Sequence, residues 1–163
     1  CAMNPCKCGY YGHASKPCTC TPKARLAYTT KISEPLLDRI DIHVEVPALD
    51  YGELSRTEPA EPSAEIRRRV IAAREYAAER TDGAVTCNGL MTPSDIRRFC
   101  RMDESGGKLM QTAYDKFALS ARAYDRILKV ARTAADFDKS EIIRKEHIGL
   151  ALQLRSMNKK YWQ

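Results

Sequence analysis

Leu119-Ser120-Ala121-Arg122-Ala123-Tyr124-Asp125-Arg126-Ile127-Leu128-Lys129-Val130-Ala131-Arg132-Thr133-Ala134-Ala135 is the stretch on which the fold turns. Ser120 stands where a helix needs a side-chain acceptor for its first free N–H groups. Tyr124, Ile127, Leu128, Ala131, Ala134 and Ala135 then recur at helical spacing as one broad apolar face. A face that broad is a buried one, and the segment is the clearest helix of the sequence.

The flanking sequence supplies the covering helices. From about Glu104 to Phe117, the residues Leu109, Met110, Ala113, Tyr114 and Phe117 share one side, although Gly106-Gly107 weakens the start. Thr92-Pro93-Ser94-Asp95 combines a capping hydroxyl, a proline at the first position and a carboxylate in the first turn, and predicts a helix ending near Arg101. Ser63 is the expected cap of a helix whose Ile66, Val70, Ala73 and Ala77 lie opposite Arg67, Arg68 and Arg74. The run Arg67-Arg68-Arg69 reads as a solvated helix face. After an extended Glu141-Ile142-Ile143, a last helix from Arg144 to Arg155 presents Ile148, Leu150, Ala151 and Leu154. Residues 63–163 therefore predict a small all-helical bundle.

Upstream the character changes. PALDYGELSRTEPAEP, residues 47–62, holds three prolines and one glycine without sustained periodicity, and residues 48–62 are assigned as a linker. Before it, Ile40, Ile42, Val44 and Val46 alternate with Asp41, His43 and Glu45, the pattern of a strand with one buried face, closed by Pro47. His43 falls on the polar face as an exposed strand residue. Ser33-Glu34-Pro35-Leu36-Leu37-Asp38-Arg39 predicts one or two helical turns.

Near the start stand Cys6-x-Cys8 and Cys18-x-Cys20, separated by a loop with two glycines and a proline that lets the chain reverse. Four thiolates satisfy the tetrahedral preference of zinc, so Cys6, Cys8, Cys18 and Cys20 are the candidate metal ligands. The C-x-C spacing is tighter than the usual C-x2-C, and a reduced loop without metal fits the same residues. His13, inside the loop, is an alternative ligand but reads more simply as a turn residue.

The 163 residues, 44% hydrophobic and 29% charged, have the balance of a soluble globular protein with room for one domain or two small ones. Neither a membrane-length apolar run nor a secretory signal pattern is visible, and seven cysteines argue against a disulfide framework, so a reducing cytoplasmic location is expected. A first residue of Cys1 and the segment Ala2-Met3-Asn4-Pro5 suggest a piece of a longer protein. The net charge is +6, and residues 1–33 carry Lys7, Lys16, Lys23, Arg25 and Lys31 with no acidic residue. Such a surface favours phosphates and points to nucleic acid as a partner.

Three blocks in order carry a resemblance: Ala2-Met3-Asn4-Pro5-Cys6-Lys7-Cys8-Gly9-Tyr10-Tyr11-Gly12, then Leu36-Leu37-Asp38-Arg39-Ile40-Asp41-Ile42-His43-Val44-Glu45-Val46-Pro47, then the helix quoted at the outset. The chain resembles the magnesium chelatase-like AAA+ ATPases of the ComM/YifB type. The resemblance implies an α/β remnant over residues 1–47, the end of an AAA+ nucleotide-binding domain with a Cys-rich insertion, followed by an all-α lid bundle over 63–163. It implies that Asn4 is the sensor 1 residue, that Arg39 is an arginine finger presented in trans, and that Arg122 is the sensor 2 contact to nucleotide phosphate, with Arg126 as the second candidate. Lys7 departs from the family, where NPCxCG often has proline, and makes the loop more basic and less rigid.

What the resemblance implies for the whole protein is a hexameric ring that uses ATP and Mg and acts on single-stranded or branched DNA as a branch-migration helicase in natural transformation. Lys16, Lys23 and Arg25 would then contact phosphates, and zinc would be a structural staple. A chelatase- or chaperone-like ATPase whose stapled loop recognises a protein is the competing expectation; a stand-alone zinc-dependent binding module is a third. No G-x-x-x-x-G-K-[ST] is present, since Gly106-Gly107-Lys108-Leu109 lacks both the upstream glycine and the hydroxyl. There is also no acidic strand end for magnesium, so this chain alone is expected neither to bind nucleotide tightly nor to hydrolyse it.

Overall fold

The computed structural model describes residues 1–13, 15–47, 49, 51–55 and 59–155. They divide into two compact units, one within residues 1–56 and one within 57–155.

The first unit holds the cysteine loop and three short helices, α1 (Pro22–Thr29), α2 (Glu34–Leu37) and α3 (Tyr51–Leu54). Helix α1, which the sequence reading does not anticipate, starts on Thr21, whose hydroxyl accepts from the Ala24 N–H at 3.2 Å, with Pro22 in the first turn. Helix α2 lies in the segment expected to form one or two helical turns, where the Ser33 carbonyl accepts from Leu36 and Leu37. Helix α3 falls inside the stretch read as linker. The expected strand is not formed, because residues 40–47 have no regular structure and no sheet exists among the described residues. The alternation is present, but a strand needs a neighbour to take its backbone hydrogen bonds. Ile42, Val44 and Val46 accordingly stand 50%, 63% and 85% exposed. His43 also departs from expectation: it is half-buried, with both ring nitrogens shielded from solvent. Among the described residues of this unit, the buried side chains are Cys6, Thr29 and Leu37.

The second unit is the helical bundle: α4 (Ser63–Arg80), α5 (Pro93–Phe99), α6 (Glu104–Phe117), α7 (Ala121–Phe137) and α8 (Lys145–Gln153), with a 3-10 turn at Asn88–Leu90. Helix α7 is its centre and packs against α4, α5, α8 and the 3-10 turn. Ile127, Leu128, Ala131 and Ala135 of α7 are buried with Met91, Ile96, Cys100, Met110, Ile143, Ile148 and Ala151. Each large side chain in that cluster contributes on the order of 1.5–3 kcal/mol by leaving water.

The helix ends follow the local chemistry of the sequence. Ser120 caps α7 by accepting from the Ala123 N–H at 3.1 Å, and Thr92 with Asp95 forms a reciprocal capping box on α5. Asp103 caps α6 through the Gly106 N–H. Gly106 is required there, because a Cβ would come 2.8 Å from the Asp103 carboxylate and 3.4 Å from the Ile143 carbonyl oxygen. What reads in sequence as a weak helix start is a close crossing of two backbones, locked by the Met102–Ile143 bridge. Gly106-Gly107-Lys108 thus sits inside a helix and forms no loop. Three apolar stripes are less covered than expected: Ile66 and Val70 of α4 are exposed, as are Tyr114 and Phe117 of α6 and Leu150 of α8. Helix α4 begins to pack only at Ala73. Its Arg68 and Arg69 pair with Glu65 and Glu61 in solvent, as read. Among the described residues no helix is long and apolar enough to cross a membrane.

Candidate functional site

The four cysteines of the loop converge. Cys6 and Cys8 sulfurs lie 3.4 Å apart, Cys6 and Cys18 3.7 Å, Cys8 and Cys18 3.5 Å, and all four sulfurs, Cys20 included, fall within 4.8 Å of one another. A tetrahedral zinc with thiolates at about 2.3 Å holds its sulfurs about 3.8 Å apart, so the quartet fits such an ion with little movement. Local turns achieve this. The Gly9 N–H bonds back to the Cys6 carbonyl at 3.0 Å, and Gly9 has φ +84°, a left-handed setting that glycine adopts without strain. Arg25 of α1 donates to the Cys20 carbonyl at 2.9 Å and so ties the second C-x-C pair to the helix.

The thiols are unequal. Cys8 is lowered to about 5, first by the backbone N–H of Tyr10, against the effect of burial, with further help from the Thr19 backbone and from Cys6 and Cys20. Cys20 is raised to about 11: the Cys8 backbone favours its thiolate, but the sulfur of Cys8, burial and Cys6 together outweigh it. Thiols bind a metal as thiolates, so loading the quartet releases protons. All seven cysteines are unpaired thiols. His13 is not a fourth-ligand substitute, because its Nδ1 accepts the backbone N–H of Ser15 at 3.1 Å and of Lys16 at 3.2 Å.

The basic residues take different places. Lys16 and Lys23 are exposed, while Arg25 is half-buried, engaged with Cys20 and stacked on the Tyr11 ring at 4.5 Å. Lys16 lies over Tyr10 at 5.3 Å. Both tyrosines escape a search for charge and metal ligands; a run of aromatics interleaved with lysines was the available signal.

The residues assigned to nucleotide sensing are divided between the two units. Asn4 and Arg39 lie in the first unit and Arg122 in the second. Asn4 is exposed, with its amide 3.8 Å from where a Gly9 Cβ would sit. Arg39 is exposed and donates back to the Pro35 carbonyl at 2.9 Å. Arg122 is exposed in the first turn of α7, which carries no acidic residue. Arg126, one turn on, is half-buried.

The bundle also holds a charge network that sequence reasoning missed. Asp136, 1% exposed, accepts from Arg132 at 3.1 Å, from Arg80 at 3.0 Å and from Asn88 at 2.6 Å. Arg132, fully buried, also donates to the Glu141 carbonyl at 2.8 Å and to that of Ser140. Burial lowers its pKa, with Asp136 opposing. His147 accepts the Arg144 N–H through Nδ1 and faces Asp138 through Nε2 at 3.0 Å.

Residues 60–155 match the family described as magnesium chelatase, subunit ChlI C-terminal, and residues 1–54 match magnesium chelatase, subunit ChlI. The chain belongs to this magnesium chelatase-like family, in its AAA+-type ComM/YifB group. It is 38% identical over 160 residues to the uncharacterized protein YifB of Escherichia coli (strain K12), covering 97% of this chain. It is 36% identical over 157 residues to competence protein ComM of Haemophilus influenzae, covering 96% of this chain. An uncharacterized protein of Mycobacterium tuberculosis is 35% identical over 136 residues, or 83% of this chain and 26% of that protein. The chain spans 30% of the length of the YifB and ComM relatives.

Proposed function

We propose that this chain is the C-terminal part of a ring-forming, ATP-driven AAA+ motor acting on DNA, with residues 1–47 closing its nucleotide-binding domain and residues 63–163 forming its lid. The observation that carries the DNA reading is the acid-free basic stretch of residues 1–33, whose Lys16 stands exposed on a loop gathered by four converging sulfurs and whose Lys23 stands exposed in the first turn of α1 that follows it. Cations displayed on a fixed loop release counterions from a phosphate backbone on contact, without reading sequence. The relative named a competence protein fits this direction.

In this reading Cys6, Cys8, Cys18 and Cys20 hold a structural zinc. The first unit buries few side chains, so a metal would supply cohesion that its core does not. Arg122 would take a nucleotide phosphate: it shares the first turn of α7 with the free N–H groups of a 17-residue helix and no carboxylate competes there. Asn4 would orient the attacking water, and Arg39 would reach the nucleotide of a neighbouring subunit, leaving its Pro35 contact to do so. These roles, the hexamer and the cytoplasmic location are part of one proposal.

The test is DNA binding by the full-length protein carrying Lys16→Glu and Lys23→Glu. Arg25 is left intact because it anchors Cys20. The expected result is an affinity loss of about tenfold or more at low salt, with a shallower dependence on salt concentration. Unchanged affinity and slope would remove the DNA-handling role of this surface.

A further inference from the structure

The two adjacent tyrosines of the cysteine loop are used neither by the metal reading nor by the phosphate contacts. We infer that Tyr10 and Tyr11 form a stacking platform for unpaired bases, which gives this surface a component of affinity specific to single-stranded DNA. The inference deepens the DNA-handling proposal and rests on it.

Both tyrosines are more than a third exposed, at 38% and 37%. Each is also held in place. The His13 ring stands edge-on to Tyr10 with centroids 5.6 Å apart and planes at 76°, and His13 itself is fixed by the Ser15 and Lys16 N–H groups. Tyr11 carries the Arg25 guanidinium at 4.5 Å, and that guanidinium is fixed by the Cys20 carbonyl. Rings positioned in advance lose little freedom on binding.

Cations accompany the rings throughout the stretch. Lys16 lies over Tyr10, Arg25 over Tyr11, and Lys31 over Tyr28 at 6.0 Å. Single-stranded nucleic acid offers the complement to such pairs, because its bases have open π-faces and each is joined to a phosphate. Duplex DNA offers only the phosphates, since its base faces are spent on one another. A protein ligand with acidic residues would satisfy the cations and leave the rings without a specific role.

The experiment compares oligo-dT and a duplex of equal length, bound by the full-length protein as wild type, as Tyr10→Leu/Tyr11→Leu and as Tyr10→Phe/Tyr11→Phe. The Leu variant should lose on the order of tenfold or more in affinity for oligo-dT and stay within about twofold for duplex, while the Phe variant matches wild type on both. An unchanged oligo-dT affinity in the Leu variant overturns the inference, as does an equal loss on both DNA forms. Wild-type protein that binds no DNA at all removes the DNA-handling proposal itself, a result distinct from either. Tyr10→Leu alone, with thiol protection measured, covers the case in which losing Tyr11 disturbs Arg25 and the quartet. On unaltered protein, photocrosslinking to an oligonucleotide bearing 5-iodouracil should map to Tyr10 or Tyr11, and crosslinks only elsewhere would refute the platform.

Discussion

Asp136 is the most heavily engaged side chain of the bundle, shared by Arg132, Arg80 and Asn88 with almost no access to water. Removing the carboxylate leaves two buried guanidinium groups without their counter-charge. Asp136→Ala is therefore expected to cost about 3–5 kcal/mol in a urea titration of the bundle, against about 0.5 kcal/mol for Glu65→Ala, whose partner Arg68 is solvated. A loss below 1 kcal/mol for Asp136→Ala would show that water reaches the network. None of this was legible in the sequence. Charges four apart on a helix ordinarily describe an exposed ion pair, and Arg132 and Asp136 fit that description until Arg80 and Asn88 arrive from distant sequence. The apolar neighbours Ala131 and Ala135 were read correctly, since their burial needs only periodicity. Asn4, Arg39 and Arg122 are proposed on resemblance alone, because each is an exposed polar residue with no local pattern that marks it.

Helices were readable where their ends carry capping chemistry. Thr92 with Pro93, and Ser120, marked the starts of α5 and α7 in the sequence where they stand in the structure. Helix α1 has the same signature in Thr21-Pro22, but the neighbouring cysteines drew the reading toward metal ligation. The segment 40–47 failed for the opposite reason: its alternation is a statement about one face, whereas a strand is a relation between two chains of hydrogen bonds. The joint between α6 and α7 gives a test at this scale. Ala118 closes α6 in the left-handed region at φ 46°, and the Leu119 N–H reaches the Tyr114 carbonyl at 3.2 Å. Ala118→Gly should stabilise the bundle by about 0.5–1 kcal/mol, because glycine adopts this conformation without the Cβ clash. Ser120→Ala, two residues on, should destabilise it by about 1 kcal/mol. Thermal unfolding of the two variants should thus move in opposite directions, and a drop for both would mean that the Ala118 methyl packs usefully.

For the molecule as a whole, the seven thiols report on metal loading and folding in separate steps. Cys1 and Cys87 are exposed, Cys6, Cys8, Cys18 and Cys20 form the quartet, and Cys100 is buried in the bundle core, where burial raises its thiol to about 11. With one zinc bound, a thiol reagent should label Cys1 and Cys87 quickly; a chelator should release the quartet; Cys100 should react only on denaturation. Seven thiols reacting at one rate in native protein would exclude the clamp. The Arg25 guanidinium joins these thiols to the loop surface, since one side chain holds the Cys20 carbonyl and covers the Tyr11 ring. Disorder among the sulfurs consequently travels to the cation and the aromatic together. A preparation with mixed thiol oxidation would behave as two populations in a titration with a polyanion, giving a biphasic curve that an assay without a zinc count would mistake for two classes of site.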